Sequence, residues 1–263
     1  MSATTAVTRT RASRVTFALE RRWSLEKRRR PRRSPRASER DVRDVRDVFE
    51  LVTDQIIISD TLSVRLVRPV SEDEVVEHYV ANEAFDADPY WATLWPSAFA
   101  VSRYIANAPA LVRDKTVCDL GAGLGLAGLV ACAAGAKRVE LFDREPLALA
   151  CAILSIEANG FQDRVLVKDF DWNDVREDQA KFDTLLACDV LYESHAVLPV
   201  AELVPKLVKR GGGRFLLGDP PSRAPQNRKR FKETLTEQYG AFVMRELLVQ
   251  EGGDELVFID FKM

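Results

Sequence analysis

The chain has 263 residues with a net charge of −2, a length at which one domain with an appendage can bury a full core without disulfides or metals. The first 40 residues carry 12 Arg, one Lys and three acids, a sum of +10, so the remaining 223 residues sum to −12. An acidic body argues against broad nucleic-acid binding, the lack of any run of about 18 apolar residues excludes a spanning helix, and four Cys and two His are too few for most zinc schemes.

The basic head, Met1 to Arg40, is rich in Arg, Ser and Thr and poor in apolar residues. It cannot bury enough surface to offset chain entropy, so the sequence predicts disorder there. Acid-poor, Arg- and Ser-rich N-termini resemble organelle transit peptides, and Val15 to Trp23 fits a short basic amphipathic helix. The run Lys27 to Arg33 also reads as a nuclear address, and a plain solvated tail is the third reading. The expectation is a tail over 1–48 and a folded domain over 49–263. A mitochondrial location comes first, with plastid, cytoplasm and nucleus as alternatives.

A β-hairpin is predicted from Gln55–Ser59 and Leu62–Val67 around Asp60, with alternation at Leu62, Val64 and Leu66. Ser71-Glu-Asp-Glu74 fits a capping box opening a helix to about Asn82, and Ser97 to Asn107 reads as a second helix. Between residues 79 and 104 lie Tyr79, Phe85, Tyr90, Trp91, Trp95, Phe99 and Tyr104, a third of the chain's aromatics. Aromatics usually mean core, so only Trp95, with Trp91 second, is given a site role. His78 and His195 read as surface or capping residues rather than bases.

A repeated strand–helix unit follows. Thr116–Leu120 is a strand leading through glycines into a helix from Leu124 to Ala134. Arg138–Phe142 is a strand, and Pro146 opens a helix to Asn159-Gly160, matching the preference for Pro at helix starts and Gly after helix ends. Arg164–Val167 and Phe182–Cys188 are further strands, then come a helix from Ala196 to Val208, a strand Arg214–Leu217 and a helix Arg228–Tyr239. The chain closes as Phe242–Val249, Glu251-Gly-Gly-Asp254 and Leu256–Phe261. Alternating strands and helices mean a parallel sheet covered on both faces. A Gly-Gly turn cannot make a parallel crossover, so the final pair is an antiparallel hairpin.

Cys118, Cys132, Cys151 and Cys188 all sit in apolar contexts without C-x-x-C spacing, so they read as buried, reduced thiols. The glycine loop is Asp119-Leu-Gly121-Ala-Gly123-Leu-Gly125-Leu-Ala-Gly128. Gly123-x-Gly125-x-x-Gly128 matches the dinucleotide fingerprint, but that register puts Asp119 inside the strand, where a carboxylate is costly unless partnered. Starting at Gly121 puts Asp119 at the strand end, free to accept hydrogen bonds near a ligand, in the order typical of S-adenosylmethionine sites. Asp143 ends the next strand, where a carboxylate can take both ribose hydroxyls of either cofactor. There is no P-loop Lys-Ser/Thr, which argues against triphosphate hydrolysis.

Tyr90-Trp-Ala-Thr-Leu-Trp-Pro-Ser-Ala98, Asp119-Leu-Gly-Ala-Gly123, Phe170-Asp-Trp172 and Cys188-Asp-Val-Leu-Tyr192 stand in that order. The set resembles the seven-β-strand (family 16) protein-lysine methyltransferases, from about Asp54 to Met263. The resemblance implies an α/β fold: a Rossmann-like class I methyltransferase sheet, mostly parallel, with a C-terminal antiparallel hairpin and a small N-terminal β-hairpin before it. It implies S-adenosylmethionine as cofactor and a protein substrate carrying the target lysine; a sulfonium carries its own leaving group, so no metal is needed, and no nucleic acid, no membrane and a monomer are expected. It implies that Trp95 packs near the methionine end, Gly121 and Gly123 line the cofactor, Asp143 holds the ribose, Trp172 faces the adenine with Asp171 beside it, and Cys188 adds backbone contacts. Asp189 and Tyr192 match the Asp-x-x-Tyr motif at the substrate channel.

The residues themselves point the same way. An acid directly after an apolar strand lies at the carboxyl edge of the sheet, where α/β ligand sites occur. If a turn of helix follows, Asp189 and Tyr192 share one face. The alternatives are Asp189 as a helix cap, Tyr192 as a packing residue and Trp172 as plain core. Competing functions are a methyltransferase acting on a small molecule or another protein residue, a nicotinamide dehydrogenase, and a non-catalytic adaptor. Asp119 and the terminal hairpin argue against the dehydrogenase, and the intact loop with Asp143 and Asp189 argues against the adaptor.

Overall fold

A computed structural model of the protein describes residues 45–84, 86–173, 181–239, 243–251 and 254–262. The readings of the basic head as tail, transit peptide or nuclear address fall outside these residues, as does Phe85.

A helical turn, α1 (Val45–Val48), opens the described chain. Val45 is buried and its carbonyl accepts the Phe49 N–H at 2.9 Å, so the folded body already includes Val45, four residues before the expected boundary. The hairpin follows as β1 (Leu51–Ser59) and β2 (Leu62–Pro69). The outer edge of β2 is bonded to a helix: Val67 N–H donates to Ser155 Oγ, Arg65 N–H to Asn159 Oδ1, and Asn159 Nδ2 returns a bond to Arg65 O. Such cover removes the exposed ladder that an edge strand otherwise presents.

Helix α2 (Glu72–Ala81) is capped by Ser71, whose Oγ accepts the Glu74 N–H. A 3-10 turn, Pro89–Ala92, and α3 (Pro96–Asn107) then lead to the main sheet. Its elements are β3 (Thr116–Leu120), α4 (Leu126–Ala133), β4 (Arg138–Asp143), α5 (Pro146–Asn159), β5 (Val165–Asp169), β6 (Thr184–Cys188), α6 (Val197–Leu207), β7 (Arg214–Asp219), α7 (Pro225–Tyr239), β8 (Val243–Glu251) and β9 (Asp254–Lys262). Helix α5 begins on Pro146 and ends on Gly160 at φ 69°, as its sequence requires. Helix α7 starts three residues earlier than its apolar pattern suggests, because Pro225 can occupy a first-turn position with no N–H to lose.

The strand order is β5-β4-β3-β6-β7-β9-β8, parallel except for β9, which runs antiparallel to both neighbours. The expected parallel sheet with a terminal antiparallel hairpin is thus present. Successive side chains of a strand point to opposite faces, and the core divides accordingly. Leu186, Leu216 and Phe258 pack with α3, α4 and α5, while Leu185, Phe215, Val257 and Ile259 pack with α6 and α7. Because both faces are covered, the central strands read as continuous apolar runs. The chain moves from β3 outward to β5, then returns to β6 on the other side. That reversal opens a crevice at the carboxyl ends of β3 and β6. Among the described residues no helix is long and apolar enough to cross a membrane.

Candidate active site

The crevice holds a cavity of about 360 Å³, within the range of small-ligand sites. All ten residues singled out from sequence line it or stand at its wall: Trp95, Asp119, Gly121, Gly123, Asp143, Asp171, Trp172, Cys188, Asp189 and Tyr192. Their roles differ in part from expectation.

Asp119 is not free at a strand end. It is buried inside β3, and its Oδ2 accepts the Gly128 N–H at 2.8 Å. Burial raises its pKa to about 7, against the pull of that N–H. The interior position is tolerated because the first turn of α4 supplies the partner; Asp119 therefore anchors the loop to the helix. Gly128 leaves room for this contact, since a Cβ there would fall 2.2 Å from Leu141 Cδ2. Gly121 sits at φ 68°, and a Cβ would fall 2.9 Å from Val190 Cγ1 and 3.1 Å from Trp172 Cζ2. Only glycine meets both demands at that turn.

Asp143 ends β4 and is buried. Its Oδ2 accepts the Gly123 N–H at 2.7 Å and its Oδ1 the Glu145 N–H at 3.0 Å. Burial raises its pKa, partly offset by these two bonds. A carboxylate has about four acceptor sites, so one per oxygen remains for a ligand diol. Trp172 is half-buried beside Gly121 rather than enclosed in the core, and Asp171 Oδ1 accepts from both nitrogens of Asn173. Cys188 is only partly buried, unlike the other three thiols, because it ends β6 at the cavity wall.

No helix follows Asp189. The residue turns the chain at φ 56°, and Val190 and Leu191 are both buried, so the segment to Ala196 is irregular. Asp189 and Tyr192 therefore meet the cavity through this turn and not through helical spacing. The helix-cap alternative for Asp189 fails, since α6 is capped at Ala196 without a side-chain bond. Asp189 is 4% exposed, and its Oδ2 pairs with Arg223 Nη1 at 2.6 Å. No group among the described residues bonds its Oδ1. Burial raises the Asp189 pKa and Arg223 opposes this. Tyr192 is more than packing, for its hydroxyl donates to Asp88 Oδ2.

Asp88, Glu145 and Arg223 escaped the sequence reading. Asp88 also caps the 3-10 turn through Tyr90 N–H and donates its own N–H to Glu145 Oε1 at 2.7 Å. Glu145 is buried, accepts from the Tyr79 hydroxyl, and has its pKa raised to about 8, chiefly by burial. Trp91 Nε1 donates to that same hydroxyl. Arg223 stacks on Trp95 at 4.1 Å from the ring centroid, while Trp95 Nε1 donates to Tyr90 O. His195 lines the mouth, half exposed, against Glu193 at 3.0 Å. Only the N-cap preference of Asp for a following Pro-led turn could have marked Asp88 in advance.

The family model described as lysine methyltransferase matches residues 86–237, more than half of the chain and the whole cavity. The chain belongs to the lysine methyltransferase family. The mouse electron transfer flavoprotein beta subunit lysine methyltransferase is 35% identical over 135 residues, 51% of this chain and 51% of that protein. The Trp95-Pro96 pair and the Gly218-Asp219-Pro220 segment are the parts of the sequence that resemble this enzyme. The protein N-terminal and lysine N-methyltransferase efm7 of Neurospora crassa is 29% identical over 141 residues, 46% of this chain and 48% of that protein. The chain spans about half the length of the curated relatives it matches. Among solved structures, magnesium protoporphyrin IX methyltransferase of Synechocystis PCC 6803 superposes with a TM-score of 0.51 at 18% identity, over 73% of this chain and 97% of that one, and shares the fold.

The lysine methyltransferase cofactor, S-adenosylmethionine, fits these residues. Asp143 presents spare acceptors for a ribose diol, Gly121 and Gly123 keep the loop thin, and Trp172 offers a flat face with Asp171 beside it. Carboxylates at the ends of β4 and β6 suit a sulfonium cation.

Proposed function

We propose that this protein transfers a methyl group from S-adenosylmethionine to the Nζ of a lysine on a protein substrate. The observation that carries the reading is Asp189 Oδ1, a buried carboxylate oxygen with no bonding partner among the described residues, on a residue of the cavity wall. A buried acceptor without a donor costs about 1–3 kcal/mol, so such an atom marks a place where a donor is meant to arrive. An amine N–H is such a donor.

S-adenosylmethionine supplies a methyl carbon already bonded to a good leaving group. The residues have three tasks. The aromatic walls of Trp95 and Tyr192 admit a cationic side chain and exclude water from it. Desolvation between them disfavours the ammonium, lowering a lysine pKa from its usual ~10.4 so that the proton leaves. Asp189 Oδ1 then accepts an N–H of the neutral amine and aims its lone pair. As the amine forms the N–C bond, the C–S bond breaks and its electron pair stays on sulfur.

The electron transfer flavoprotein beta subunit is the first candidate substrate, because the mouse and human relatives carrying that name are 35% and 33% identical to this chain over 135 residues. The Asp219–Arg228 segment is longer than in that enzyme and differs from it, which makes a different protein the second candidate. We place the protein in mitochondria on the strength of its Arg-rich head, and as a monomer. Incubation with methyl-labelled cofactor, the recombinant beta subunit and a cell lysate, followed by mass spectrometry, tests the proposal. Label on lysine Nζ is expected. Label on an N-terminal amine would favour the chemistry named for the Neurospora relative, and label only on small molecules would refute the protein substrate. A fluorescent fusion of the whole chain tests the location.

A further inference from the structure

We infer that Arg223 is a positioning residue for methyl transfer: it holds one oxygen of Asp189 so that the other is presented to the target amine. The inference rests on the proposed lysine chemistry and adds a residue to it.

The two oxygens of Asp189 are treated unequally. Oδ2 receives the Arg223 guanidinium at 2.6 Å, while Oδ1 is buried and receives nothing among the described residues. A lone buried carboxylate could rotate about its last bond to share its donor between both oxygens. Here that rotation is opposed because the donor is itself fixed. The Cζ of Arg223 lies over the Trp95 ring, 4.1 Å from its centroid. The contact with the ring and the ion pair with Asp189 together restrain the guanidinium from two sides.

The loop that carries Arg223 is anchored at its base. The Arg228 guanidinium, 7% exposed, bonds Asp219 Oδ2, Pro220 O and Pro221 O. Asn227 Nδ2 bonds Leu191 O at 2.7 Å, tying the start of α7 to the segment between Asp189 and Tyr192. The Arg223 side chain, the ring beneath it and the carboxylate it grips are thus tied together by contacts at both ends of the loop. A side chain serving only to plug the cavity would need no such anchorage. A 1 Å displacement of a reacting atom can cost about 100-fold in rate, which makes a held carboxylate worth a dedicated arginine.

The test compares Arg223→Ala and Arg223→Lys with the parent protein, using the beta subunit as acceptor, or the lysate protein that the parent labels. Single-turnover and steady-state rates are read alongside cofactor affinity by calorimetry and thermal unfolding. Arg223→Ala is expected to lower kcat by about 10–100-fold while the acceptor KM and the cofactor affinity change by less than about threefold. Arg223→Lys should recover part of the rate, because it restores the charge without the planar fork. Millimolar guanidinium should raise the rate of Arg223→Ala and leave the parent unchanged. An unchanged or higher kcat with a lower KM would show that Arg223 merely obstructs the site, and overturns the inference. A parallel loss of rate, cofactor affinity and stability without rescue by Lys or guanidinium assigns it a structural role and also overturns it. If the parent labels no lysine, the proposed function itself falls, which is a separate result from either.

Discussion

The Tyr192 hydroxyl donates to the Asp88 carboxylate, joining two walls of the cavity from positions 104 residues apart. Asp88 uses its other oxygen to cap the turn that leads to Trp95. One side chain therefore sets the spacing between the aromatic wall before β3 and the Asp-x-x-Tyr turn after β6. Asp88→Ala is expected to reduce kcat/KM for the protein acceptor about tenfold, the scale of one hydrogen bond to a charged group. Cofactor titration on the same variant should show a much smaller change, and a loss confined to cofactor binding would contradict this division.

Asp143→Ala is expected to weaken cofactor binding by roughly 1.5–3 kcal/mol, again one or two bonds to a charged group. The Gly123 N–H loses its acceptor at the same time, so the glycine loop loosens as well. Isothermal calorimetry measures the affinity, and circular dichroism checks that the sheet survives. An unaltered affinity would remove Asp143 from the cofactor site.

Asp189→Ala is expected to reduce methyl transfer by about 100-fold or more while sparing cofactor affinity. Arg223, whose side chain is 36% exposed, can then turn to water, so the fold should tolerate the change. Single-turnover assays at saturating cofactor decide the matter, and full activity would leave the lysine chemistry without its acceptor atom.

The buried carboxyl of Glu145 carries a pH signature. Its pKa in the folded protein is about 8, against an ordinary value of 4.5, with burial as the main cause. A raised folded-state pKa means that the native state holds a proton that the unfolded chain releases. The associated stability is fully present below pH 4.5 and is lost as pH rises through about 8. Thermal unfolding of the free protein should therefore fall between pH 5 and pH 9. Glu145→Gln keeps an acceptor for Asp88 N–H and cannot ionise, so its Tm should fall less over the same range. Identical pH profiles for the two proteins would refute the assignment.

A chain beginning at Val45 is expected to bind cofactor and unfold like the 263-residue chain. One beginning at Phe49 should lose several degrees of Tm, since removing a buried Val costs ~1.5–3 kcal/mol. Differential scanning fluorimetry on both chains tests where the folded body begins.

Much of this was legible in the chain itself. The strand Thr116–Leu120, the helix Pro146–Asn159 and the terminal hairpin follow from local rules: apolar runs, a Pro that starts a helix, a Gly that ends one, and a turn too short for a crossover. The ten site residues reach one cavity because each lies in the glycine loop, at a strand's carboxyl end or in the aromatic segment before β3, and the order of the strands brings those places together.

Other features needed the assembled molecule. Asp119 looked free because its partner, Gly128 N–H, becomes available only when α4 leaves its first-turn donors unpaired against β3. Whether a turn of helix follows Asp189 was left open, because spacing alone does not show that Val190 and Leu191 must both be buried. Arg223 carried no local signal and Asp88 only that of a turn cap, since the partners that bring them to the site lie 34 and 104 residues away. Periodicity and turn chemistry act between near neighbours and so are written along the chain. Pairings between distant side chains depend on how loops close over the sheet, and only the packed fold decides them.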